Sequence, residues 1–187
     1  MLKHASAKPS PFSLAFLSDG PRTPHLEVIA RALPGGSAFI LRNYDTENRK
    51  ELARALRAIC ASRNVYFLVG ADIELARHIG ADGVHLPRWT NAKPAELEGL
   101  IVSCACHNEA ELIHAAAINA DVALLSPAFP TSSHPDVDAI KKDEFMRLAK
   151  TTPIPILALG GIDETNAAAL AGPNIAGFAA ISAFLPR

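Results

Sequence analysis

Short apolar runs alternate with amphipathic stretches along almost the whole chain. "SLAFLSD" (13–19), "SAFILRN" (37–43), "VYFLVG" (65–70), "DGVHLP" (82–87), "IVSCAC" (101–106), "DVALLS" (121–126), "PILALGG" (155–161) and "IAGFAAIS" (175–182) read as strands. Between them, a helical period runs through "HLEVIARAL" (25–33), "ENRKELARALRAICAS" (47–62), "DIELARHIG" (72–80), "NEAELIHAAAIN" (108–119), "DAIKKDEFMRLAKT" (138–151) and "DETNAAALAG" (163–172). Gly80 closes the third of these segments, and Asp163 or Thr165 caps the last. "KPAELEGL" (93–100) has room for two helical turns at most.

Apolar runs without strict alternation belong to strands buried on both faces, as in a parallel sheet covered by helices. Eight such repeats predict an α/β fold, a parallel eight-stranded (β/α)₈ barrel, rather than an open doubly wound sheet. At 187 residues the chain is short for a barrel, where roughly 250 is typical. Lean connections and a missing or vestigial last helix are therefore expected. The whole of 1–187 reads as one domain, with residues 1–10 a flexible N-terminal tail. The glycine patterns of dinucleotide and P-loop nucleotide sites are absent near the N-terminus.

Composition narrows the function classes. Hydrophobic residues make up 49% and charged residues 20%, as in a soluble globular enzyme. With a formal net charge of −1, no global positive field recruits nucleic acid or an anionic membrane. Any bound anion must be held by local groups. No apolar run reaches the roughly 20 residues of a membrane span, and "MLKHASAKPSPF" lacks the apolar core of a secretory signal. Cys60, Cys104 and Cys106 are odd in number, which suggests a reducing cytoplasm. "SCACHN" invites a metal reading, but in a strand Cys104 and Cys106 share one face and His107 takes the other. Buried apolar cysteines are the expectation.

In a barrel the reacting groups sit beyond the C-terminal ends of the strands. The polar residues fall there: "LRNYD", "GAD", "HLPRW", "ACHN", "SPAFPTSSH", "LGGID" and "ISAF". The hydroxyls of Ser126, Thr131, Ser132 and Ser133 would thus face a common mouth with His134. Gly160-Gly161 before Asp163, together with Ser182, fits a phosphate cradle after strands seven and eight, built from backbone N–H groups and a helix start. The plainer alternative is a tight turn. Arg42 ends a buried strand and needs a partner, such as the carboxylate of Asp72. His85, inside an apolar strand, reads as a hydrogen-bonded core histidine. His78 and His114 read as surface residues on helices. Trp89 either covers the mouth or stacks on a heteroaromatic ring.

From Ser37 to Ser182 the sequence resembles the thiamine-phosphate synthases and their thiazole tautomerase relatives. The resemblance is carried by "FILRN", "FLVGADIELARHIGADGVHLP", "CHNEAEL", "LLSPAFPTSSH", "ILALGGI" and "AAIS". It implies a (β/α)₈ barrel that joins a pyrimidine pyrophosphate to a thiazole phosphate with Mg²⁺ and releases pyrophosphate. It also implies a phosphorylated heterocycle as ligand, and leaves homo-oligomer formation open. By the same resemblance Arg42 contacts pyrophosphate, Thr131 and Ser133 lie near the pyrophosphate and the thiazole phosphate, and Gly161, Ile181 and Ser182 cradle that phosphate. His107 stands where relatives carry a polar group or histidine.

Some departures from that pattern fall on the metal site and others elsewhere in the mouth. Tyr44 replaces an expected lysine, and Gly70-Ala71 an Asn-Asp pair, with Asp72 one step late. Pro87, Arg88, Trp89 and Thr90 replace a Gly-Gln-x-Asp run, so the Mg²⁺ ligands are expected to be missing. Ala105 replaces a serine, His134 a lysine, and Pro127 the histidine of the tautomerases. Arg88 and protonated His134 offer substitute positive charge. Three functions follow: the synthase reaction with an altered metal site, a different reaction on a phosphorylated small molecule using His107 or His134 as acid and base, or non-catalytic phosphate-ligand binding.

Overall fold

The computed structural model describes residues 8–88, 90–130 and 138–181. Eight parallel strands close into a barrel: β1 (Leu14–Leu17), β2 (Ala38–Leu41), β3 (Tyr66–Gly70), β4 (Gly83–Leu86), β5 (Ile101–Cys106), β6 (Val122–Leu125), β7 (Ile156–Leu159) and β8 (Ile175–Ala180). Each strand pairs with its sequence neighbour, and β8 returns to β1, with Ala15 opposite Ala179 and Phe16 opposite Ala180. The expected (β/α)₈ architecture is therefore present. The strands are a little shorter than the apolar runs that predict them.

Among the described residues five α-helices cover the sheet: α1 (Leu26–Ala32), α2 (Arg49–Ser62), α3 (Ile73–His78), α4 (Glu109–Ala117) and α5 (Lys142–Thr151). Alternation along each strand divides the apolar residues into two layers. Phe16, Phe39 and Phe67 face outward and pack in sequence, with ring centroids 4.9 and 5.9 Å apart, in one cluster with Ile29, Leu33 and Leu56 of the covering segments. Leu17, Ile40, Leu68, Leu124 and Leu157 form the inner cluster. Burying each large side chain contributes about 1.5–3 kcal/mol, so both layers are needed. Phe12 joins the inner cluster and lies 5.9 Å from the Tyr66 ring. Lys8 pairs with Asp121, whose other oxygen accepts from the N–H of Val102 at 2.8 Å.

The helices are shorter than their sequence patterns, and two lose the most. α5 begins at Lys142 rather than residue 138, because Ile140 gives its N–H to the carbonyl of Pro127 at 2.9 Å. The segment 163–172 holds only a 3₁₀ turn, Ala167–Leu170. There Asp163 Oδ1 accepts from the N–H groups of Thr165 and Asn166, and this turn takes the place of helix. Pro94–Glu96 is likewise a single 3₁₀ turn. Among the described residues, no helix is long and apolar enough to cross a membrane.

Candidate active site

Arg42 follows directly on β2 and is fixed from three sides. Its backbone N–H donates to Ser18 Oγ at 2.7 Å, its Nε–H to the Ser18 carbonyl at 3.0 Å, and its terminal nitrogen pairs with Asp19 at 3.1 Å. The expectation of a carboxylate partner is met, but by Asp19 and not by Asp72. Arg22, on the loop after β1, pairs with the other Asp19 oxygen at 2.7 Å. These groups line a cavity of about 470 Å³ that also takes in Asn43, Tyr44 and Thr46. The Oδ1 of Asn43 is buried and has no hydrogen-bond partner among the described residues, so a donor on a ligand or a water would complete it.

Beside that cavity lies a second arginine cluster. Arg49 opens α2, donates to the Gly70 carbonyl at 2.6 Å, pairs with Asp72 at 3.2 Å and stacks 5.7 Å from the centre of the Tyr44 ring. Burial raises the Tyr44 phenol's pKa, against the lowering effect of Arg42 and Arg49. Asp72 is the N-cap of α3, accepting from the Leu75 N–H at 2.8 Å. Both of its oxygens are thus occupied by protein donors. A Cβ on Gly70 would stand 2.8 Å from the Leu41 carbonyl oxygen and 3.0 Å from the Tyr44 ring. The departures at positions 44 and 70 therefore explain each other: the ring lies where a side chain at 70 would have to start.

Under the mouth, His85 is buried and its Nδ1 lies 2.8 Å from Ser103 Oγ. Burial first, and then the charge of Arg42, lower its pKa to about 3, so the imidazole is neutral. It is the core histidine the sequence suggests. Burial also pushes the Cys60 and Cys104 thiols up to about 12, and Cys106 higher still. They are unreactive apolar residues.

His107 follows β5, and Glu111 holds it: the carboxylate accepts from the His107 N–H at 2.7 Å and lies 2.8 Å from Nδ1. Nδ1 is thus engaged by Glu111, and Nε2 is the ring nitrogen left for any further contact. Among the described residues no hydrogen bond or ion pair joins His107 to Arg42. On the far side, Gly160 and Gly161 have φ of +99° and +62°. A Cβ on Gly161 would stand 2.4 Å from the Pro130 carbonyl oxygen. Phe129 N–H bonds to the Gly160 carbonyl at 3.0 Å, and the Ser126–Pro127 peptide is cis. The glycine pair is required by the close approach of the loop after β6. The helix start expected to assist it is only the short 3₁₀ turn. Ile181 is half-buried against the inner cluster. Thr131, Ser133, His134, Ser182 and Trp89 lie outside the described residues.

The strand ends read from the sequence begin at the second strand, and so pass over Ser18, Asp19 and Arg22. The signal for them is "LSDGPR", charge closing a buried run. Glu111 is signalled by its i,i+4 spacing from His107, and Arg49 only by its position at a helix start.

A family model described as "Thiamine monophosphate synthase" matches residues 15–184. The chain belongs to the thiamine monophosphate synthase family. It is 31% identical to a thiamine-phosphate synthase of Thioalkalivibrio sulfidiphilus, over 87% of this chain and 81% of that protein. The synthase of Geobacillus kaustophilus is also 31% identical, over 89% and 80%. The thiamine phosphate pyrophosphorylase structure from Pyrococcus furiosus superimposes with a TM-score of 0.79 at 25% identity, over 92% of this chain and 87% of that one. Where the family resemblance expects metal-binding carboxylates, this member has Ala71 and Thr90, and the neighbouring Asp72 is engaged by Arg49 and the α3 N-terminus. Among the described residues no group of three acidic, histidine or cysteine side chains is placed to hold a metal ion.

Proposed function

We propose that the protein is a synthase-type transferase of thiamine biosynthesis, joining a hydroxymethylpyrimidine pyrophosphate to a thiazole phosphate with release of pyrophosphate. Its departure from the family pattern is that fixed guanidinium groups meet the negative charge that carboxylate-held Mg²⁺ is expected to meet. The observation that carries this reading is the placement of Arg42. The arginine that the resemblance assigns to pyrophosphate ends β2 at the barrel mouth, held in position by Ser18 and Asp19. Thr131, Ser133, Gly160, Gly161, Ile181 and Ser182 are the proposed contacts of the phosphorylated heterocycle, with His134 and Arg88 adding charge.

The test is to incubate the purified protein with both substrates, with and without Mg²⁺, and follow thiamine phosphate by chromatography. Slow synthesis with little Mg²⁺ dependence is expected. Ala71→Asp combined with Thr90→Asp should raise the Mg²⁺-dependent rate. Fast, strictly Mg²⁺-dependent synthesis by the unmodified protein would overturn the altered metal site.

A second reading is favoured by the His107–Glu111 pair. Glu111 fixes the imidazole as an acid/base group would need, which suits proton transfer on a phosphorylated small molecule. Absence of synthesis together with proton exchange on a bound thiazole phosphate would select it. Binding with neither reaction would leave a phosphate-ligand binding protein.

A further inference from the structure

Two arginines from different loops converge on one carboxylate in the cavity wall. Arg22 takes one oxygen of Asp19 at 2.7 Å, and Arg42 takes the other at 3.1 Å. An oxyanion bridging two guanidinium groups through two of its oxygens is how a phosphoryl group is held between arginines. Nothing about Asp19 ties it permanently there. Its side chain is 31% exposed, and those of Arg22 and Arg42 are 42% and 22% exposed, so the Arg22 pair is solvated and contributes little to stability. Arg42, by contrast, remains aimed by Ser18 even if Asp19 leaves.

The charge balance of the wall points the same way. Arg22 and Arg42 are offset by Asp19 and Asp45, which also lines the cavity. With Asp19 seated, the cavity is neutral and has little attraction for a phosphate. With Asp19 swung into solvent, both forks turn to the ligand. Position 44 adds no positive charge, since Tyr44 stands there against Arg49, whose guanidinium is paired with Asp72, and the cation that shares Asp19 with Arg42 is Arg22, from the loop after β1.

We propose that Arg22 and Arg42 form a two-guanidinium clamp for a phosphoryl group of the substrate, and that Asp19 occupies the anion position until the ligand displaces it. This rests on the reading of the site as one that takes a phosphorylated ligand. Arg22 is thereby a binding residue and Asp19 a competitor that sets how much negative charge a ligand must bring.

The test is calorimetric titration of the full chain with inorganic pyrophosphate in the presence of EDTA. Arg22→Met and Arg42→Met should each weaken binding about tenfold or more, the scale of one charge-assisted contact. Asp19→Asn should tighten it, because the carboxylate no longer competes. Unchanged affinity in Arg22→Met, or weaker binding in Asp19→Asn, overturns the clamp. Loss of binding in Arg42→Met alone leaves a phosphate site without a clamp. If the unmodified chain binds neither pyrophosphate nor inorganic phosphate, the functional reading itself fails. Thermal melts accompany each variant. Should Asp19→Asn not fold, Arg22→Met decides alone, since that side chain is the more exposed of the pair at 42%.

Discussion

The two sides of the barrel mouth are built differently. On the side of β1 to β3, side chains do the positioning: Ser18 and Asp19 hold Arg42, and Asp72 and the Gly70 carbonyl hold Arg49. On the side of β6 and β7 the backbone does it, through two left-handed glycines and main-chain hydrogen bonds between the loop after β6 and the end of β7. A side-chain network can change its charge one residue at a time and keep its shape. A backbone network tolerates little change, since a Cβ on Gly161 meets the Pro130 carbonyl oxygen and one on Gly160 meets Pro127 Cα and Cβ at 3.0 Å. The departures from the family pattern at positions 44, 70 and 71 fall on the first side, and those at 127 and 134 fall in the loop after β6.

The largest effect should come from attacking the backbone side. Gly161→Val adds a Cβ 2.4 Å from the Pro130 oxygen at a φ of +62°, and should destabilise by about 3–5 kcal/mol. Urea denaturation showing less than about 1 kcal/mol would mean that the loop after β6 yields easily. Next is pH. An unfolded histidine takes up its proton near 6.5, whereas His85 in the fold stays neutral down to about 3. Between these values the unfolded chain binds more protons, so stability should fall as pH is lowered through that window. Chemical denaturation at pH 7, 5.5 and 4 should show the loss, and His85→Phe should remove one proton's worth of its slope.

Smaller effects are expected on the side-chain side. Arg49→Met removes a guanidinium only 14% exposed but leaves Asp72, at 40% exposure, open to water. A cost of about 1–2 kcal/mol follows, below that of a fully buried pair. Asp72→Asn should cost less, because asparagine still caps α3. Finally, Ala71 has a φ of +61°. Ala71→Gly should therefore stabilise by about 1 kcal/mol, relieving the left-handed strain of an L-residue. A thermal midpoint unchanged or lowered by Ala71→Gly would show that the flexibility gained by the unfolded chain offsets that relief.

The barrel was legible because burial on both faces leaves a direct mark: runs such as "VYFLVG" and "DVALLS" have no polar face to hide. Helix ends were less so. Residues 138–140 carry a helical pattern, but the hydrogen bond from Ile140 to Pro127 is a tertiary contact with no local signal. In the site, Arg42 was legible as charge ending a buried strand, while its partner was not. Asp19 and Asp72 are equally plausible in sequence, and only the register of β1 against β2 brings Ser18 and Asp19 alongside Arg42. The Tyr44–Gly70 match is of the same kind, because it joins positions on separate strands and loops.

The seam between β1 and β8 has a consequence for how the chain comes into being. Leu14, Ala15 and Phe16 find their partners at Phe178, Ala179 and Ala180. On a ribosome, the first strand therefore waits for nearly the whole chain to be translated, on the order of ten seconds at ordinary elongation rates. Throughout that interval the growing sheet has two open edges, each able to recruit a strand from another nascent chain. The finished ring has no edge to defend. Its period of danger is set by time rather than by shape, and slow synthesis or a stalled message just before residue 175 should expose it most.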